Sequence, residues 1–318
     1  MATTITNTTD ASAPSRRGRR IRSLQNHGSA PYWLVAPAVI LFVLFIIIPV
    51  LYTLYLSVFA YRVDPGGGIL ATRTLTFVGL ENYGTVLADP AYRTGLLHVV
   101  LFGVIAVPVM LGLALLFALL LDTMGVRSRR FSRPAIFIPY AVPGVIAALL
   151  WGFLYLPTTS PFSAITEAVG LGEIPFLDNP WVYGSLSNIA VWGGVGFNMI
   201  IIYTSLRSIP GEILESARLD GASEIQVALR IKIPMVIPAI VLTSFFALIG
   251  TLQLYNEPQT IRTLTSTISP TWVPLMTIYR DAFQTDNLPT AAAASVLLAL
   301  LIVGLSLVVM RLAQLRRK

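Results

Sequence analysis

Long apolar runs free of charge constrain this chain more than anything else in it. From Trp33 to Ser57 no charged residue occurs. A bilayer core about 30 Å thick takes about 20 helical residues to cross. With no water to serve backbone N–H and C=O groups there, such a run is expected to be helical. Five more runs qualify: Leu96–Leu121, Pro134–Tyr155, Ser185–Leu206, Pro234–Leu254 and Ala291–Val309. The fourth run, Ser185–Leu206, is the least apolar, with Ser187, Asn188, Trp192, three glycines and Asn198. It counts as spanning because its neighbours would otherwise fall on the wrong sides. The expected fold is an all-α membrane protein with six transmembrane helices across residues 31–318. Composition agrees, since 12% of residues are charged against about 25% in soluble domains.

The placement of charge sets the expected orientation. Along the six-span pattern, seventeen Lys and Arg fall on the side of the termini and five (Arg62, Arg73, Arg93, Arg262, Arg280) on the other. The positive-inside rule then makes both termini cytoplasmic. The net charge of +7 does not point to nucleic acid, because the bases gather at the ends of apolar runs. Residues 1–30, rich in Ser, Thr and Arg, are expected to form a disordered basic cytoplasmic tail. The following run is too long for a signal peptide and lacks a small-residue cleavage site, so an uncleaved first helix is expected. There is no cysteine, and the two histidines, His27 and His98, stand in unrelated segments. No phosphate-cradling loop or metal-ligand spacing occurs. The chain is therefore expected to be neither an enzyme nor a holder of cofactors; any ATP and Mg would be bound by other chains.

One polar segment, residues 207–233, interrupts the apolar pattern between the fourth and fifth runs. Pro210 suits an early helical position, and Glu212 and Glu215 follow in the first turns, at the positive end of the dipole. Ile213, Leu214 and Ala217 give a small apolar face. Asp220-Gly221 breaks the run, because glycine readily takes positive φ. A second helix is expected from Ala222-Ser223-Glu224 through Ile231, with Pro234 marking the return to the membrane. The segment holds four acids and four bases, while the other cytoplasmic segments hold thirteen bases and two acids, Asp10 and Asp122. Attraction to anionic lipid favours surplus base, so balanced charge points to a protein partner; a solvated connecting loop is the plainer alternative.

Glu215-Ser216-Ala217, three residues, Gly221, nine residues, Ile231, one residue and Ile233-Pro234 resemble the E-A-A-x3-G-x9-I-x-L-P loop of ABC importer permeases. Ser216 replaces an Ala and Ile233 a Leu, with the spacing intact. F-V-G-L-E-N-Y at Phe77–Tyr83 and P-Y-A-V-P-G at Pro139–Gly144 are similar to segments of the carbohydrate-uptake branch. The chain most resembles a first permease subunit of the maltose-transporter type in a six-span form. That resemblance implies a type I importer fold whose coupling helix fits a groove on a cytoplasmic ATPase. It implies as partners a second permease, two ATPases and an extracytoplasmic sugar-binding protein. Carried over, Glu215, Ser216, Ala217, Asp220 and Gly221 lie at the ATPase contact, with Gly221 making the turn.

Polar groups inside spans mark pathways. No acid or base lies mid-span in the pattern above, which suits a neutral, polyhydroxylated cargo. Hydroxyl, amide and aromatic side chains are the groups that would meet it: Tyr140, Asn198, Ser244, Thr251, Gln253 and Asn256, with Trp151, Trp192 and Thr243 as further candidates. In the related maltose-type permease, P-Y-A-V-P and the outer end of the fifth span help line the sugar site. Each candidate has a structural alternative. The aromatics can pack helices, the Ser and Thr hydroxyls can bond back to their own helix, and Gly193, Gly194 and Gly196 can let helices close up. Gly194 can equally leave room for a sugar ring. The T-x-G-G-P pattern common after the fifth span is absent: Leu254–Thr260 reads L-Y-N-E-P-Q-T. Another cargo, such as glycerol-phosphate, and a self-sufficient secondary transporter are the competing readings.

Overall fold

The computed structural model describes residues 30–63, 73–123, 126–170 and 172–315. The basic tail expected over residues 1–30 thus lies outside the described residues, apart from its last position. Two units are distinguished, Met1–Val50 and Leu51–Lys318.

The first unit holds α1 (Ala30–Phe42), a widened turn Val43–Ile47 and the start of α2 (Ile48–Ser57). In the widened turn the Ile48 N–H reaches the Val43 carbonyl, five residues back. The same device recurs in the second unit, where Ala228–Lys232 separates α10 (Glu224–Val227) from α11 (Ile233–Leu252) and the Ile233 N–H bonds to Ala228. Each widened turn ends two residues before a proline, Pro49 or Pro234. A proline ring otherwise meets the carbonyl four residues back, and a π-turn relieves that contact without ending the helix. Pro234, expected to mark the return to the membrane, lies inside a helix that runs on from the polar segment into the fifth span.

After the end of α2, the second unit forms a small antiparallel ribbon, the one sheet among the described residues: β1 (Phe59–Val63) against β2 (Arg73–Phe77), with Phe59 opposite Phe77. The F-V-G-L-E-N-Y segment builds its base. Gly79 turns the chain at φ +60. Glu81 pairs with Arg62 at 2.6 Å, and Asn82 donates to the carbonyls of Ser57 and Phe59. Glu81 and Asn82 begin α3 (Glu81–Ala88), which leads to the long α4 (Pro90–Thr123).

α4 packs along α8 (Trp181–Arg207) to form the main helix pair. Ala106, Ala114, Ala118 and Leu121 of α4 are fully buried, as are Met199, Ile202 and Leu186 of α8. Lipid tails are as apolar as these side chains, so close contact between small residues, more than exclusion from water, holds such helices together. At Gly196 a Cβ would run into the Ile136 carbonyl and the Phe137 backbone of α5 (Val126–Phe137).

The third expected span, Pro134–Tyr155, is not one straight helix. α5 and a 3-10 turn at Ile138–Ala141 meet α6 (Gly144–Tyr155) at 95°. Pro139 and Pro143 lack the N–H groups that would carry a ladder through the corner. The other five spans are continuous, which makes six when the bent pair counts as one. Outside the spans lie α7 (Pro161–Ala168) and α9 (Gly211–Leu219). α12 (Asn256–Ile261) packs on α6, and α13 (Pro274–Phe283) packs on α14 (Leu288–Leu315).

Candidate functional site

The polar segment folds from local signals. α9 starts at Gly211 with Pro210 just before it as the cap residue, rather than inside the helix, and Glu212 lies in the first turn. At the other end Gly221 takes φ +83. Its N–H bonds to the Arg218 carbonyl, and that of Ala222 bonds to Ala217. This is the paired closure in which a left-handed residue satisfies the last carbonyls of a helix. Ser223 then caps the second helix, exchanging bonds with Gln226 in a capping box. Arg218 and Glu224 bridge the turn at 2.7 Å, a bond that raises the Arg218 guanidinium above its ordinary range.

Glu215, Ser216, Asp220 and Gly221 are exposed on this loop, and Ala217 is half-buried. Beside them Leu219 is 89% exposed and Ile225 72% exposed. These two bracket Gly221 and form an apolar rim that the sequence reading, centred on Ile213, Leu214 and Ala217, did not single out.

The base of the loop is tied to α4. Lys232 donates to Asp122 at 2.7 Å, and both side chains are more than nine-tenths buried. Arg207, at the end of α8, lies 3.6 Å from the other Asp122 oxygen. The residues that open and close the loop therefore converge on one carboxylate. Between this base and α9 lies a polar cleft of about 510 Å³.

A second site lies among α4, α6, α8 and α11. It is a cavity of about 570 Å³ whose wall includes Tyr140, Gly194, Asn198, Thr251, Gln253 and Asn256. Six of the seven expected path residues thus come together. Tyr140 stacks on Phe197 with ring centroids 5.0 Å apart. Asn198 donates to the Gly194 carbonyl at 2.9 Å and to the Met110 sulfur at 3.2 Å. Its Oδ1 is buried and has no partner among the described residues. Thr251 donates to the Ala247 carbonyl at 2.8 Å.

Ser244 is not part of this wall. Its hydroxyl donates to the Ile240 carbonyl at 2.7 Å, the back-bonding that a polar residue in an apolar helix falls into. Thr243 does the same. Trp151 and Trp192 pack edge to face away from the cavity. His98 stacks on Trp272 and bonds to its carbonyl. The cavity also holds a residue the sequence reading missed, Glu257. It lies beyond the apolar run, in the L-Y-N-E-P-Q-T segment, and α12 turns it back toward α6.

The family described as binding-protein-dependent transport system inner membrane component matches residues 110–317, which include the polar loop and the cavity wall apart from Phe102 and Ala106. The chain belongs to that family. It is a multi-pass inner-membrane permease subunit of a binding-protein-dependent ABC importer and is not itself a catalyst. The permease is 32% identical over 279 residues to the sn-glycerol-3-phosphate transport system permease protein UgpA of Agrobacterium fabrum, covering 87% of this chain and 92% of that protein. It is 29% identical to the probable ABC transporter permease protein YurN of Bacillus subtilis over 88% of this chain and 94% of the relative. Its fold matches a crystal structure of a bacterial ABC transporter involved in the import of the acidic polysaccharide alginate. That match has a TM-score of 0.74 at 20% identity and covers 91% of this chain and 96% of that one.

Proposed function

We propose that the permease forms half of the translocation path for a sugar or oligosaccharide delivered by an extracytoplasmic binding protein. The observation that carries this reading is the cavity wall, where the stacked Tyr140–Phe197 pair lies among the amides of Asn198, Gln253 and Asn256. Rings offer flat faces to sugar C–H surfaces, and amides both donate to and accept from hydroxyls. A second permease supplies the other half of the path.

The polar loop docks on one of two cytoplasmic ATPases. The exposed Leu219 and Ile225 around the Gly221 turn provide an apolar rim for a groove, and Glu215, Ser216, Ala217 and Asp220 its polar contacts. The asymmetry of Lys and Arg supports cytoplasmic termini and a cytoplasmic loop. A second reading, a glycerol-phosphate cargo, is favoured by the substrate for which the UgpA relative is named.

The test is ATP hydrolysis by the assembled complex in proteoliposomes, with the binding protein encoded alongside it and a panel of neutral sugars and glycerol-3-phosphate. Stimulation by a neutral sugar supports the first reading. Stimulation by glycerol-3-phosphate alone replaces it with the second.

A further inference from the structure

Glu257 is an acid on the wall of a membrane cavity with nothing nearby to neutralise it. Among the described residues, the cavity wall contains no Lys, Arg or His. The ion pairs among the described residues engage Glu81, Asp286, Asp122, Glu224 and Asp281, not Glu257. A carboxylate in such a place is costly unless something stabilises it, and intramembrane acids tend to be functional for that reason.

Its neighbour on the wall is the start of α6. Gly144 opens that helix, and a Cβ built on it would lie 3.6 Å from Glu257 Oε1 and 3.9 Å from the Asn256 side chain. The carboxylate thus lies beside the positive end of a 12-residue helix. The cap position is Pro143, and no side chain caps the helix by a hydrogen bond. Glu257 meets its own backbone N–H, and no side chain of α6 caps that helix in its place.

Asn198, also on the wall, adds a second acceptor. Asn198 spends its N–H groups within the protein and leaves Oδ1 buried and unpartnered. A carboxyl oxygen and an amide oxygen both accept hydrogen bonds, so both call for donors. Hydroxyl groups supply donors without charge. A phosphate or carboxylate group brings only acceptors and a second negative charge, and this wall has no cation to receive it.

We infer that Glu257 is the specificity-determining residue of the cavity. Its carboxylate accepts hydrogen bonds from hydroxyls of an uncharged, hydroxyl-rich cargo and turns away cargo whose buried portion is anionic. This rests on the sugar-import reading above and sharpens it: the cargo differs in charge class from the glycerol-phosphate and the acidic polysaccharide named for the two relatives.

The test uses the complete importer in proteoliposomes with its own binding protein. The probes are growth-medium metabolites and polysaccharide digests separated by ion exchange into anionic, neutral and cationic pools. ATP hydrolysis is measured with each pool, and the imported compound is identified by mass spectrometry. Expected for the wild type is stimulation by the neutral pool. For Glu257→Gln the expected result is a loss of about tenfold in cargo imported per ATP, the scale of a lost hydrogen bond to a charged group. The concentration of loaded binding protein giving half-maximal stimulation should stay the same, since a cavity residue does not touch that surface. Glu257→Asp keeps the charge with a shorter reach, so it should lose import efficiency while still refusing the anionic pool; it also serves should the Gln variant fail to fold. Import of an anionic or cationic compound by the wild type overturns the inference, as does unchanged import per ATP in both variants. Absence of stimulation by every pool in the wild type is a different result, because it removes the sugar-import reading itself.

Discussion

Asp122 and Glu257 both lie at the ends of spanning segments, in opposite circumstances. Asp122 is held by Lys232 at 2.7 Å and approached by Arg207 at 3.6 Å, so its charge is answered within the chain. Glu257 lines an open cavity and has no cation near it. A buried charge with its partner in place fixes geometry, here the two ends of the polar loop against α4. A charge left without one is available to whatever enters. The same contrast runs through the surrounding backbone: a paired closure and a capping box satisfy the turn at Gly221, while the cavity keeps an Asn198 oxygen without a partner among the described residues and a helix corner at Pro143.

The largest effect expected from disturbing this contrast comes from Lys232→Met. It leaves Asp122 buried with only the longer contact to Arg207, and removal of one member of a buried pair costs about 3 kcal/mol or more. Thermal unfolding of the purified complex in detergent should show a large drop, and adding Asp122→Asn should restore much of it. If the single variant unfolds like the wild type, the clamp does not hold the loop.

Next comes a pair of glycines two positions apart on α8. Gly196→Ala drives a methyl group into the backbone of Ile136 and Phe137, neither of which can swing aside. Overpacking of this kind costs about 2 kcal/mol. Gly194→Ala meets only the far end of the Met110 side chain, at 2.8 Å. That tail can move, so a cost under about 1 kcal/mol is expected, of the order of a tolerated core swap. Equal drops in melting temperature would mean that the cavity wall is as rigid as the α5–α8 contact.

Gly221→Val tests the loop. Its φ of +83 is a conformation that β-branched residues avoid, at a cost of about 1–2 kcal/mol. Because the strain is confined to an exposed turn, little change in melting temperature and a clear loss of ATPase stimulation are expected. The smallest effect is expected from Arg218→Ala. The Arg218–Glu224 pair is open to water, so its removal should leave the melting temperature unchanged within error, at low and at high salt.

Much of the loop was legible in the sequence because its signals are local. Gly221 and the helix start at Ala222-Ser223-Glu224 act within a few residues, and the motif from Glu215 to Pro234 lies in one unbroken stretch. The spans were legible for a similar reason, since hydropathy needs only a window. The corner between α5 and α6 was visible as Pro139 and Pro143, but its 95° is set by packing on α8 and α12. Lys232 and Asp122 each read as a charge at a membrane boundary, and their pairing across 110 positions has no sequence signal. Ser244 looked like a path residue because composition cannot say whether a hydroxyl bonds to its own helix. Glu257 was passed over because path residues were sought among hydroxyl, amide and aromatic side chains, so that its neighbour Asn256 was named and the acid beside it was not.

The most direct test of the central claim is ATP hydrolysis by the complete importer in proteoliposomes, with cargo-loaded binding protein, for the wild type and for Gly221→Asp. Expected are strong stimulation in the wild type and its loss in the variant, with the variant still inserted in the membrane at the wild-type level. Equal stimulation in both would contradict the coupling role given to the loop. Failure of the wild-type chain to recruit any ATPase would contradict the reading of this permease as half of a driven path.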